Sequence, residues 1–207
     1  KDMSPVTIGA GYTEEYIYNP VKNELQGRIK AAYDRLIQGK ESVIIEGTGH
    51  AGVGAVIDAS NADVAKLLGA KVIIVAGGGI GRSIDEIVLN KALFDLQKVE
   101  VLGVIINKVL PEKFERVKKA LNAGLNHKGI RLLGTIPWDP FLSAPTIGQL
   151  VSQLELRVMC GKASMNRLVR NVIVAAMEPD NMVNHISDGT LVLTSGDRVD
   201  NIMVAVR

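Results

Sequence analysis

The feature that most constrains the fold of this chain is a series of short apolar runs, each followed by a glycine or a polar residue. The runs are rich in β-branched residues and lie at 42–46, 71–76, 101–107 and 130–136. Segments between them carry apolar residues at helical spacing, as at 63–68, 83–96 and 111–125. Strands that alternate with helices in this way predict an α/β fold with a parallel sheet flanked by helices.

Polar residues and glycines stand at the carboxyl ends of the predicted strands. They are Glu46 and Gly47, Gly77 to Gly81, Asn107 and Lys108, and Pro137 and Trp138. Ligands of open parallel sheets bind outside the carboxyl ends of the strands. We therefore expect Glu46, Asn107 and Pro137 to converge on one nucleotide pocket.

The segment Glu46-Gly47-Thr48-Gly49 places a carboxylate after a strand and before two glycines. A carboxylate at this place can hold a Mg²⁺ ion that also contacts nucleotide phosphates, and the glycines would let a ligand approach the backbone. The alternative is structural. Glu46 would then cap a neighbouring helix, and the glycines would only turn the chain.

A second glycine-rich segment, 77–81, lies between a strand and a helix. Backbone amides at a helix start, with Gly79, Gly81, Arg82 and Ser83 around them, would suit an anionic group of a substrate. A turn that uses the conformational freedom of glycine is the alternative.

Asn107 and Trp138 are the candidates for contacts to a base. A side-chain amide donates and accepts hydrogen bonds together, so Asn107 can pair with the edge of a purine, although an asparagine at a strand end also forms turns. Trp138 can stack on a base or anchor a core.

Composition and charge exclude several classes of protein. The formal net charge is +2, and no basic block or aromatic-basic stripe is present, so a nucleic-acid partner is not expected. The apolar runs are far shorter than the roughly 18 residues of a membrane span. Cys160 is the single cysteine, which predicts a buried thiol, no disulfide and no thiolate metal site. These observations favour a cytoplasmic protein.

The character of the sequence changes near residues 143–145. We predict a nucleotide-binding domain over 1–142 and a smaller second α/β unit over 143–207. The chain opens with Lys1 rather than methionine, and its last residues stop inside an apolar pattern without a cap. Both ends are those expected of a partial chain with incomplete domains.

Four motifs, taken in order, resemble the later part of dethiobiotin synthetase and related ATP-dependent synthetases with a P-loop NTPase-like fold. They lie at 45–49, 72–81, 106–108 and 134–138. The resemblance implies a Mg²⁺ ligand at Glu46, adenine contacts from Asn107 and Pro137, and a homodimer. It also implies a substrate or dimer-partner contact around Gly81 to Ser83, which include Arg82 and lie beside Gly79. Lys108, Trp138, Gly47 and Gly49 are the further candidates for the cofactor site.

The last third of the chain resembles the DRTGG domain, through residues 174–177 and 189–198. This domain follows a dethiobiotin synthetase-like domain in the long phosphotransacetylases and in stand-alone relatives. The chain contains neither the P-loop motif nor a phosphotransacetylase catalytic domain, so no catalytic residue is assigned. We expect this chain alone to hydrolyse ATP no faster than background.

The leading functional hypothesis is a domain that binds ATP and Mg²⁺ in the full-length parent and is joined to a small regulatory domain. It would regulate or accompany a metabolic enzyme such as phosphotransacetylase and would respond to a small-molecule substrate or effector. One alternative is a non-catalytic module for ligand sensing or dimerisation. Another is an ATP-dependent synthetase that phosphorylates a carboxylate.

Overall fold

The structure is a computed structural model that describes residues 2–21 and 23–206 of the chain. It divides into two compact units, the first ending at Trp138 and the second beginning at Asp139. The domain boundary predicted from the sequence lies four residues later, between 142 and 143.

The first unit contains five α-helices and three strands in its described residues. The helices are α1 (Tyr12–Tyr18), α2 (Glu24–Leu36), α3 (Asn61–Leu68), α4 (Gly81–Leu96) and α5 (Phe114–His127). The strands are β1 (Val72–Gly77), β2 (Val101–Val109) and β3 (Leu132–Pro137). They form one sheet in the order β1-β2-β3, and both pairings are parallel. The predicted α/β fold with a helix-flanked parallel sheet is confirmed.

One face of this sheet forms the core of the unit. Ile74, Val104 and Ile106 on that face are buried. They pack with buried apolar residues of α4 and α5, namely Ile87, Phe94, Val117, Leu121 and Leu125. The burial of these side chains away from water is the main contribution that stabilises the packing of α4 and α5 on the sheet. The opposite face stays open, since Val75 remains 61% exposed.

The strand predicted at 42–46 is wrong. These residues are irregular and exposed, and the side chain of Ile44 is 97% exposed. An apolar β-branched run forms a strand only where a neighbour pairs its backbone groups and covers its side chains. In the part of the chain that the structure describes, no strand lies beside this segment.

The second unit is a smaller α/β unit. Its helices are α6 (Pro140–Ser143), α7 (Ile147–Gln153), α8 (Pro179–Val183) and α9 (Val199–Ala205). Strands β4 (Asn171–Val174) and β5 (Thr190–Leu193) pair in parallel, with Asn171 opposite Thr190. Ala175, Met182 and Asn201 are buried around this pair.

Two further features of the chain bear on the predictions. Cys160 is exposed, so the prediction of a buried thiol is wrong. None of the helices within residues 2–21 and 23–206 is both long and apolar enough to cross a membrane.

Candidate functional site

The carboxyl edge of the first sheet is built by the register of its strands. Gly77 at the end of β1 lies opposite Asn107 of β2, and Val109 lies opposite Pro137 of β3. The pairing of β2 with β3 is irregular between Ile106 and Val109, so the backbone there departs from a regular ladder. Because β2 is the middle strand of the sheet, Asn107 lies between the ends of β1 and β3.

Asn107 keeps part of its hydrogen-bonding capacity. Its Oδ1 accepts a hydrogen bond of 2.8 Å from the backbone amide of Lys108, which has a left-handed φ of 58°. Within the described residues, Nδ2 of Asn107 donates to no group of the protein. The local turn therefore fixes the orientation of the amide and leaves a donor at the edge of the sheet.

The backbone at Gly78 runs against the end of β2. A Cβ atom at this position would lie 2.8 Å from the Lys108 carbonyl oxygen and 2.9 Å from Val109 Cα. Both contacts are with backbone, so any side chain would force the two segments apart. The glycine is thus required for the close approach of β1 and β2 at the candidate site.

Ser83 serves the fold of this edge. It is buried, and its hydroxyl donates a 2.7 Å hydrogen bond to the carbonyl of Gly77. A Cβ at Gly79 would lie 3.0 Å from the same hydroxyl oxygen. The Ser83 side chain therefore holds the glycine loop onto the start of α4, and its hydroxyl hydrogen is committed to this bond.

Arg82 is turned toward its own helix. Its side chain is 90% exposed and forms an ion pair of 2.7 Å with Glu86, one turn later. The hydrogen bond to Glu86, together with the charge of that carboxylate, raises the pKa of Arg82. The guanidinium is thus partly neutralised, while the backbone amides at Gly81 and its neighbours begin α4 without a side-chain cap.

Pro137 and Trp138 border the same edge. The Trp138 amide donates a 2.7 Å hydrogen bond to the Val109 carbonyl, which fixes the chain as it leaves β3. The Trp138 side chain is partly exposed, and Pro137 is exposed. An indole at the rim has an apolar face on which a planar ring can stack.

Glu46, Gly47 and Gly49 lie on the irregular segment outside the sheet. Nδ2 of Asn61 donates to the carbonyls of Thr48 and His50, each at 2.8 Å, and a Cβ at Gly47 would lie 2.9 Å from Asn61 Oδ1. The segment is thus held by the start of α3. No hydrogen bond or ion pair of the described residues joins it to Asn107 or Pro137.

The structure brings together some of the predicted residues at one edge and leaves others apart. Gly77 to Ser83, Asn107, Lys108, Pro137 and Trp138 share the carboxyl edge of the sheet. Glu46 is exposed, and no three His, Cys, Asp or Glu side chains of the described residues cluster as metal ligands. A single carboxylate still suits Mg²⁺, which usually takes one or two carboxylates together with substrate phosphates.

Sequence reasoning missed a second strand edge, in the second unit. An open cleft of about 420 Å³, lined in part by Arg198, lies at the carboxyl ends of β4 and β5. Nδ2 of the buried Asn201 donates to the carbonyls of Ala175 and Met177, at 3.0 and 3.1 Å. The structure shows that β4 and β5 are parallel, so the rule on the carboxyl ends of parallel strands applies to them as well.

Comparison with protein families matches two domains in this order. Residues 2–146 match the AAA domain, and residues 149–207 match the DRTGG domain. No solved structure matches the chain at a significant level.

Curated relatives match most of the chain. A phosphate acetyltransferase of Nitratidesulfovibrio vulgaris is 30% identical over 91% of this chain and 28% of its own length. A phosphate acetyltransferase of Pseudomonas putida is 30% identical over 98% of this chain and 30% of its own length. A phosphate acetyltransferase of Synechocystis is 28% identical over 87% of this chain and 26% of its own length. The chain thus spans less than a third of the relatives it matches.

The family matches and the relatives agree with the resemblance seen in the motifs. The AAA domain match covers more than half of the chain. The chain therefore belongs to the dethiobiotin synthetase-like AAA domain family and carries a DRTGG domain after it.

Proposed function

We propose that the first unit, in the full-length parent, binds an adenine nucleotide at the carboxyl edge of β1, β2 and β3, and that the second unit is a regulatory domain. The observation that carries the proposal is the edge itself. Asn107, whose Nδ2 donates to no described residue, lies on the middle strand, and Gly78 and Trp138 directly follow the two neighbouring strands. Asn107 would read the base, and Trp138 would cover it.

The activity named for the relatives bears on whether a bound nucleotide would be a substrate or an effector. They are phosphate acetyltransferases, and the transfer of an acetyl group to phosphate does not itself consume ATP. A nucleotide bound to this chain would therefore act as an effector of a phosphotransacetylase. The second unit would carry part of that regulation.

Mg²⁺ belongs to the same proposal. Glu46 is the acidic residue that would hold the ion, and the nucleotide phosphates would complete its coordination. The exposed segment around Glu46 would then have to approach the sheet edge when the nucleotide binds.

A homodimer and a cytoplasmic location complete the proposal. The apolar sheet face with the exposed residues Ile73, Val75 and Ile136 gives the first unit a surface for a further layer. Sedimentation velocity at two protein concentrations tests the dimer, and a single monomeric species at both would contradict it.

The base contact is tested with Asn107→Ala, by calorimetric titration with ADP and with UDP. Loss of one hydrogen bond is worth about 1 kcal/mol, so affinity for ADP should fall less than tenfold and affinity for UDP should stay unchanged. Asn126→Ala, at an exposed position late in α5, is the matched control. Equal losses for ADP and UDP would contradict a base contact.

The metal contact is tested separately with Glu46→Gln. This variant should bind ADP like the wild-type chain without Mg²⁺ and more weakly when Mg²⁺ is present, because only the metal ligand is changed. Glu41→Gln, at an exposed acidic residue of the same segment, is the control. An unchanged response to Mg²⁺ in Glu46→Gln would remove Glu46 from the site.

A further inference from the structure

The cleft of the second unit is open to solvent and has a mixed lining. Its apolar residues are the strand end 174–176 and Leu193, and its polar residues are Thr194, Ser195 and Arg198. Its volume is about 420 Å³. The cleft also lies outside the carboxyl ends of two parallel strands, where ligands of such sheets bind.

The hydrogen-bond ladder between β4 and β5 is interrupted at this cleft. The last rung runs from the Ala175 amide to the Leu193 carbonyl, at 2.7 Å. The alternation of a parallel ladder would next pair the Ser195 amide with the Ala175 carbonyl. That carbonyl instead accepts from Nδ2 of Asn201, and Thr194 Oγ1 lies 3.4 Å away from it.

The interruption leaves a backbone donor at the mouth of the cleft. Within residues 23–206, the Ser195 amide donates to no acceptor of the protein, and Ser195 is exposed. Asn201 is fully buried, and its Nδ2 also donates to the Met177 carbonyl. Contacts within the protein therefore hold this side chain in place. The free amide is therefore a fixed feature of the fold and available to a ligand.

The charges around the cleft disfavour an anionic ligand. Arg198 bonds the Asp200 carboxylate at 2.9 Å and the Met177 carbonyl at 3.1 Å. The carboxylates of Asp197 and Glu178 act on the same guanidinium. One cation thus faces three carboxylates. A hydrogen bond from Ser195 is the main cause that lowers the pKa of Asp197. The hydrogen bond from Arg198 is the main cause that lowers the pKa of Asp200.

An uncharged planar ligand fits the remaining features. The guanidinium plane of a neutralised arginine can stack on a flat ring, and the apolar residues of the lining favour the ring faces. The Ser195 amide needs an acceptor atom at the edge of that ring. A heteroaromatic ring with acceptor nitrogen or oxygen at its edge meets both requirements.

We propose that this cleft binds the base of a nucleoside, with the Ser195 amide donating to the base edge and Arg198 stacking on its face. The proposal names a ligand class for the regulatory role given above to the second unit, and it rests on that role. The site is distinct from the sheet edge of the first unit, and the two can fail separately.

The test is a titration of the 207-residue chain with adenosine, guanosine, cytidine, uridine and, for comparison, inorganic phosphate, followed by the NMR shift of the Ser195 amide. Ala176 is exposed on the cleft wall, so Ala176→Leu fills the cleft without disturbing the core. Ala163→Leu makes the same change at an exposed position away from the cleft. Asn107→Ala reports on the first unit.

At least one nucleoside should shift the Ser195 amide. Its affinity should fall at least about tenfold, or ~1.4 kcal/mol, in Ala176→Leu and stay unchanged in Ala163→Leu and Asn107→Ala. The proposal is overturned if no nucleoside moves the Ser195 amide of the wild-type chain, or if only inorganic phosphate does. Binding that is lost in Asn107→Ala and kept in Ala176→Leu would overturn it as well, while leaving the function proposed for the first unit standing.

Discussion

The carboxyl edges of the two parallel sheets differ in the kind of hydrogen-bond donor that has no partner among the described residues. At the first edge the backbone groups are satisfied locally, since Ser83 bonds the Gly77 carbonyl and the Trp138 amide bonds Val109. A side-chain donor, Nδ2 of Asn107, remains. At the second edge Asn201 occupies the Ala175 carbonyl, and what remains is a backbone donor, the Ser195 amide.

This difference determines how each site responds to mutation. A side-chain donor is removed by one substitution, as in Asn107→Ala, with little change to the fold. A backbone donor survives every substitution except proline, so the second site has to be blocked by added volume, as in Ala176→Leu. The same reasoning explains why Asn107 stood out in the sequence and Ser195 did not.

The largest expected effect is a loss of stability when a buried residue of β2 is truncated. Ile106→Ala removes a fully buried side chain next to Asn107, and the free energy of unfolding should fall by about 2–5 kcal/mol. Urea unfolding followed by the fluorescence of Trp138, the single tryptophan, reports on this unit.

Leu89→Ala in α4 is the control for that experiment. Its side chain is 74% exposed, so the change in unfolding free energy should stay within about 0.5 kcal/mol. A comparable loss for the two variants would show that the burial of Ile106 does not account for the effect.

A smaller effect is expected from the pH dependence of the second unit. The hydrogen bond from Arg198 lowers the pKa of Asp200 below its ordinary value of 3.8. A carboxylate with a lowered folded-state pKa stabilises the fold above the unfolded-state pKa, and this stabilisation is lost as pH falls through the folded-state pKa. The second unit should therefore lose stability below about pH 4.

Asp200→Asn should flatten this part of the pH profile, because the neutral side chain does not titrate. The effect should be modest, since exposed ion pairs contribute little. Urea unfolding of the second unit at a series of acidic pH values, read from NMR signals of β4 and β5, measures it. Identical profiles for the variant and the wild-type chain would exclude the Arg198–Asp200 pair as the cause.

The strands that pair with another described strand were predicted from the sequence, whereas the strand predicted at 42–46 is wrong. β1, β2 and β3 lie close to their predicted places because each apolar run pairs with another described strand. The run at 42–46 has the same composition, yet it is irregular because strand formation depends on a partner that composition does not reveal.

The candidate site was predictable to a similar extent. Asn107 and Pro137 share an edge because parallel register fixes which strand ends meet. The ion pair of Arg82 with Glu86 follows helical spacing and could have been read from the sequence. The bond from Asn201 to Ala175 could not, since it joins residues far apart in the chain through the tertiary fold.

The most direct test of the account is hydrogen exchange of the full-length parent with and without ATP and Mg²⁺. Binding at the first edge predicts slower exchange of the amides in 77–81 and 107–109, and weaker protection of the same amides in Asn107→Ala at equal nucleotide concentration. Unchanged exchange in these two segments, at a concentration where calorimetry shows ATP bound, would contradict a nucleotide site at the end of this sheet.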